Sequence, residues 1–139
     1  MKIMGLDPGS KRVGVALSDE LGMIASGLTT LTWDSQEQLL AGIQKLVAEH
    51  KVERIVVGLP RRMDGTLGPA AEAALSLAEA LKTIQGLEVL TWDERFSTAA
   101  VERVLIEADV SRKKRKEVRD KVAAAYILQG YLDSLNVFS

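Results

Sequence analysis

The chain contains no cysteine, which excludes disulfides and thiolate metal sites and fits a reducing compartment, so a cytoplasmic location is the expectation. Aromatic residues make up only 4%, too few to build a stacking platform for single strands; Trp33 and Trp92 are expected to pack in the core. The one histidine, His50, falls at the end of a helical pattern, where a cation is favoured, and reads as a capping residue. No apolar run approaches the roughly 20 residues needed to cross a bilayer. Nor does the N-terminal KIMGLD show the basic, apolar and cleavage regions of an export signal, so no membrane partner is expected.

What remains is globular: 139 residues, 47% hydrophobic and 27% charged, enough for one core and predicting one domain over 1–139. The net charge of -1 conceals an asymmetry, because 111–121 alone carries +5 through Arg112, Lys113, Lys114, Arg115, Lys116, Arg119 and Lys121. Such a run suits a polyanion, and it equally suits a solvated surface.

Apolar runs over Lys2 to Leu6 and Arg12 to Leu17 flank Asp7-Pro8-Gly9-Ser10-Lys11 and predict two strands joined by a tight turn. Gly22 to Trp33 reads as a third strand, completing an antiparallel meander. A helix capped by Asp34 or Ser35 runs to about His50, and Val52 to Leu59 is a strand buried on both faces. After the loop Pro60 to Leu67, a helix is expected from about Gly68 to Gln85, with Leu75, Ala78, Leu81 and Lys82 on one face and Gly86 as C-cap. Leu87 to Trp92 is the next strand, followed by a helix from Ser97 or Thr98 to about Glu107 and a last helix from about Lys116 to Leu135. The order βββαβαβαα predicts an α/β fold with a mixed five-stranded sheet flanked by helices. The tetrapeptide LTWD occurs at Leu31 and again at Leu90, but its flanks differ and it marks no repeat.

Three acids stand at element ends. Asp7 ends the first strand, on the face of Ile3 and Gly5; Glu94 follows the strand ending at Trp92; Asp120 shares a helical row with Ala124, Ile127 and Tyr131. Each has a plain structural reading. Asp7 can bond amides of its own turn, Glu94 can complement a helix N-terminus, and Asp120 can pair with Lys116 or Lys121. If all three meet at one sheet edge, their repulsion calls for a hard divalent cation. Magnesium or manganese, as one or two ions, would then align a water for phosphodiester cleavage. Gly5 and Gly9 are expected to leave room beside Asp7 for a metal and a phosphate.

Gly5 to Ala16 (GLDPGSKRVGVA), Val57-Gly58-Leu59-Pro60 with Met63-Asp64-Gly65, Trp92-Asp93-Glu94-Arg95, and Ser111 to Lys116 with Asp120 to Ala124 together resemble the YqgF family. This family, also called RuvX, comprises bacterial nucleases described as Holliday junction resolvases and as pre-16S rRNA processing enzymes. The resemblance spans nearly the whole chain. It implies a ribonuclease H-like fold and places the family's acidic positions on Asp7, Glu94 and Asp120, as catalytic residues and metal ligands. It also implies a nucleic-acid partner, namely precursor rRNA within ribosomal precursor particles or, alternatively, a four-way DNA junction. Phosphate contacts are expected from Lys11, Arg12, Arg95, Arg112, Lys113, Lys114, Arg115 and Lys116. Arg61 and Arg62 depart from the family's usual residues after Gly-Leu-Pro and would add phosphate contacts. Arg95 has a second reading, an ion pair to Asp93 or Glu102. A junction substrate would favour a homodimer and an rRNA substrate makes no such demand, so monomer and homodimer both stay open. A non-catalytic RNA-binding module is the rival of another class, and an actin-like phosphotransferase would need two such domains.

Overall fold

The computed structural model describes residues 1–9, 11–60, 66–93 and 112–136, with the backbone alone described over 112–119 and at 136. Five strands, β1 (Lys2–Pro8), β2 (Arg12–Ser18), β3 (Ala25–Thr32), β4 (Val52–Leu59) and β5 (Glu88–Asp93), form one sheet in the order β3-β2-β1-β4-β5. β1 pairs antiparallel with β2 and β2 with β3, whereas β1 with β4 and β4 with β5 run parallel. The mixed sheet and its antiparallel meander are as the sequence predicts. The carboxyl ends of β1, β4 and β5 therefore share one edge, where open α/β sheets bind ligands.

Period-2 alternation divides the sheet into two faces. Met4, Leu6, Val13, Val15, Ile55 and Val57 point to one side, where helices α1 (Gln36–His50) and α2 (Pro69–Leu81) cover them with Leu39, Ile43, Ala74, Leu77 and Leu81. Ile3, Ala16 and Val56 point to the other, beneath helix α3 (Arg112–Asn136), which contributes Ala124, Ile127, Leu128, Tyr131 and Leu132. Trp33 packs against the first core and Trp92 against the second, where it meets Tyr131 edge-on at 5.8 Å.

Local chemistry sets the element ends. Ser35 caps α1, its hydroxyl accepting the Gln38 N–H at 3.2 Å, and Lys51 closes the other end in the left-handed region with φ 55°. β3 starts later than its sequence pattern implies, because Asp19 Oδ1 accepts the N–H groups of Met23 (2.8 Å) and Ile24 (3.2 Å) and holds them in the turn. Those same N–H groups, Met23 first, keep the Asp19 carboxyl below the ordinary carboxylate range.

α2 departs from expectation in two respects. It ends at Leu81 because the N–H groups of Thr83 and Ile84 turn back to the carbonyls of Ala80 and Leu81, so Gly86, at φ 81°, serves the turn into β5 rather than a helix cap. Its buried face is Ala71, Ala74, Leu77, Ala78 and Leu81, leaving Leu75 and Lys82 exposed. In an alanine-rich helix several faces are nearly equally apolar, and the small residues take the one that approaches the sheet. α3 in turn starts earlier than expected and takes in the basic run from Arg112. The helix expected over 97–107 lies outside the described residues. Among the described residues no helix is long and apolar enough to cross a membrane.

Candidate functional site

Asp7 lies near the carboxyl end of β1, half-buried and directly opposite Gly14 of β2. Cross-strand partners in an antiparallel pair project to the same face, here the face covered by α3. Gly14 is where that helix comes closest: a Cβ built there would overlap the Asp120 carbonyl oxygen and carbon. The strand thus has its smallest residue where the helix backbone presses on it, and this sets the Asp120 backbone over the residue that pairs with Asp7.

The approach is shared by neighbouring strands. A Cβ at Gly5 would lie 2.7 Å from Leu128 Cβ and 3.1 Å from the Ala124 carbonyl oxygen, and one at Gly27 would lie 3.1 Å from the Lys121 carbonyl oxygen. Glycines on β1, β2 and β3 therefore form a shallow track into which α3 settles. This corrects the expected role of Gly5: the space above it holds the helix, not a metal or phosphate. Gly9 belongs to the hairpin turn, where its N–H donates to the Arg12 carbonyl at 2.8 Å. Gly14 has no functional expectation attached in the sequence, although an isolated glycine inside an apolar strand is a recognised sign of close backbone approach.

Asp120 is mostly buried, with 16% of its side chain exposed, and Arg12 Nε stands 3.1 Å from its Oδ2. The partner is thus the first residue of β2 rather than Lys121 on its own helix; the Lys116 side chain lies outside the described residues. The contact compensates charge without forming a hydrogen bond: Oδ2 is buried and has no hydrogen-bond partner among the described residues. A carboxylate oxygen in that condition is poorly satisfied by protein alone.

Of the remaining expected site residues, Lys11 is exposed and its carbonyl accepts the Trp33 N–H at 3.1 Å. Arg112, Lys113, Lys114, Arg115 and Lys116 occupy the first turns of α3, with no acidic residue in the first turn. Cations at a helix N-terminus oppose the macrodipole, so this placement costs helix stability. Asp93 closes β5 opposite Leu59 at the same edge as Asp7; Glu94, Arg95, Arg61 and Arg62 lie outside the described residues. The structure accordingly pairs Arg12 with Asp120 and puts Asp7 opposite Gly14, beneath the Asp120 backbone. Among the described residues no three His, Cys, Asp or Glu side chains form a metal cluster. The donor chemistry of the two acids does suit a hard cation: both are carboxylates, and one presents a buried oxygen without a donor.

A family model described as RuvX, Holliday junction resolvase, matches residues 1–134. A protein of Bacillus cytotoxicus named "Putative pre-16S rRNA nuclease" is 54% identical over 136 residues, covering 96% of this chain and 99% of that protein. One of the same name from Listeria monocytogenes is 55% identical over 138 residues, covering 98% and 100%. Among solved structures, RuvC of T. thermophilus in complex with a Holliday junction substrate aligns with a TM-score of 0.63 at 16% identity, covering 100% of this chain and 98% of that one. The fowlpox virus resolvase with its substrate junction DNA gives 0.61 at 12%, covering 97% and 99%. At such identities the likeness is one of fold, and that fold is the ribonuclease H-like one of RuvC.

Proposed function

Since the chain belongs to the RuvX family over residues 1–134, we propose that it is a divalent-metal-dependent nuclease that hydrolyses phosphodiester bonds in precursor 16S rRNA, in the cytoplasm. The observation that carries this reading is that Asp7, at the carboxyl edge of the sheet, pairs with Gly14, the residue over which the Asp120 backbone lies. Glu94, one residue beyond β5, is the third acid of the set. Together these carboxylates would hold magnesium or manganese, which when bound supplies an activated water and offsets charge on the leaving oxygen.

The chain's own residues do the rest. Asp7 and Asp120, carried on a strand and a packed helix, would hold the ion with little reorganisation. The cations in the first turns of α3 recover their unfavourable dipole placement when a nucleic-acid backbone neutralises them. Contacts of this kind grip phosphates and leave base sequence unread. Lys11, Arg61, Arg62 and Arg95 are assigned further phosphate contacts from the sequence.

The names of the relatives favour precursor rRNA, and the description of the family model favours a four-way junction, so both substrates belong in one test. Wild type and Asp7→Asn are compared on precursor 16S rRNA and on a synthetic four-way DNA junction with magnesium titrated. Wild type is expected to cleave the rRNA only with metal, and Asp7→Asn to lose roughly a thousandfold in rate, equivalent to about 4 kcal/mol of transition-state stabilisation. Equal cleavage by both proteins would refute the carboxylate site. Preferential cleavage of the junction would transfer the assignment to branched DNA, and binding without cleavage under any metal would make the chain a nucleic-acid-binding module.

A further inference from the structure

We propose that Arg12 gates the metal site: its guanidinium stands against Asp120 Oδ2, and a divalent cation gains that oxygen only when Arg12 leaves. This rests on the reading of Asp120 as a metal ligand.

Three observations carry it. Oδ2 is buried, and Arg12 Nε lies against it at 3.1 Å, so the oxygen is not open to an incoming ion while Arg12 stays. The contact lacks hydrogen-bond geometry, so it holds the carboxylate by charge alone and is replaced at small cost by a better cation. Finally, Arg12 is built to move only at its tip. Its backbone is held by the β2–β3 ladder to Thr32 and by the Gly9 N–H, whereas its side chain is 29% exposed on a flexible stem.

A displaced guanidinium stays beside the site, at the edge where the substrate phosphates are placed, and its planar fork suits a phosphate bidentately. Nucleic acid and metal thus act on the same side chain in the same direction. Phosphate draws Arg12 off Asp120, and the freed carboxylate takes the ion. Metal loading is weak in the free protein and improves once substrate is present.

The test is direct manganese binding to the full chain without nucleic acid, read from the electron paramagnetic resonance signal of free Mn2+. Arg12→Gln is expected to bind manganese about three- to tenfold more tightly than wild type, the range for removing a competing ion pair that is partly exposed. The gain should survive 1 M KCl, where the screening length is about 3 Å and general charge effects fade. Arg12→Met, which keeps the apolar stem, repeats the measurement if Arg12→Gln melts early. In cleavage assays either variant should saturate at lower manganese while its KM for RNA rises; a purely structural defect would worsen both together.

Affinity equal to or weaker than wild type in a variant that melts normally overturns the gate, as does a gain that vanishes at 1 M KCl. Asp120→Asn separates this failure from that of the site. If it binds manganese as tightly as wild type, Asp120 is no ligand; if it binds weakly while Arg12→Gln does not tighten, only the gate is wrong.

Discussion

Gly14→Ala adds one methyl group at the point where a strand and a helix backbone touch. The new Cβ would overlap the Asp120 carbonyl oxygen and carbon, both main-chain atoms of a helix anchored further along by Ile127, Leu128 and Leu132. No rotamer change relieves such an overlap, so the first described turns of α3 must lift by about an ångström or more to restore ordinary contact. Overpacking of this kind costs about 1–3 kcal/mol, and main-chain contact places it at the upper end. For a chain of this size about 3 kcal/mol lowers Tm by roughly 10 °C. Activity should fall further than stability accounts for, because a misplacement of about 1 Å in a reacting constellation can cost on the order of 100-fold in rate. The assay pairs thermal melting with cleavage well below the melting transition, using Gly22→Ala as the comparison. Gly22 has φ 70° and nothing within 4 Å of an added methyl, so its substitution meets only backbone strain of about 1–2 kcal/mol and leaves the site untouched. Wild-type cleavage by folded Gly14→Ala would refute the claim that Gly14 sets the position of Asp120.

Two further outcomes test the packing that supports the site. Ser18 is buried and its hydroxyl accepts the Ile3 N–H at 2.8 Å, so Ser18→Ala should cost about 1–3 kcal/mol in urea denaturation by leaving that amide unsatisfied; a loss below about 0.5 kcal/mol would count against it. Leu128→Ala empties a fully buried position over Gly5 and should cost about 2–5 kcal/mol, whereas Leu75→Ala on the exposed face of α2 should stay within about 0.5 kcal/mol by the same measurement. Equal losses at Leu128 and Leu75 would mean that the face assigned to α2 is wrong.

The sequence makes the sheet legible because its signals are local. Ile55-Val56-Val57 marks a strand buried on both faces, the alternation in β1 puts Asp7 with Ile3, and the spacing of Asp120, Ala124, Ile127 and Tyr131 gives the face of α3 that meets the sheet. Less legible is whatever depends on which surfaces approach most closely. The partner of Asp120 is Arg12, more than a hundred residues away, while the adjacent Lys121 offers a nearer pairing that does not form. Gly5 likewise looks like a ligand glycine beside an acidic loop, and Gly14 carries no expectation at all. Their use is set by α3, whose depth over the sheet follows from three strands together. For α2, composition leaves several equivalent apolar faces, and only packing against β4 and β5 selects among them.

The contact between α3 and the meander also dictates when the protein can first cut. Gln129 takes the Ala25 N–H across a sequence separation of 104 residues, and the Asp120 backbone settles over Gly14 only through the same late closure. During synthesis the hairpin bearing Asp7 and Arg12 emerges early, whereas its counterpart is among the last segments to be made. A nascent chain that has not yet reached α3 therefore leaves the Asp7 edge of the meander without its covering helix. On the proposed reading of the site, hydrolysis waits until α3 has docked, so a nuclease acting on ribosomal precursor RNA is inert until the ribosome has made that helix.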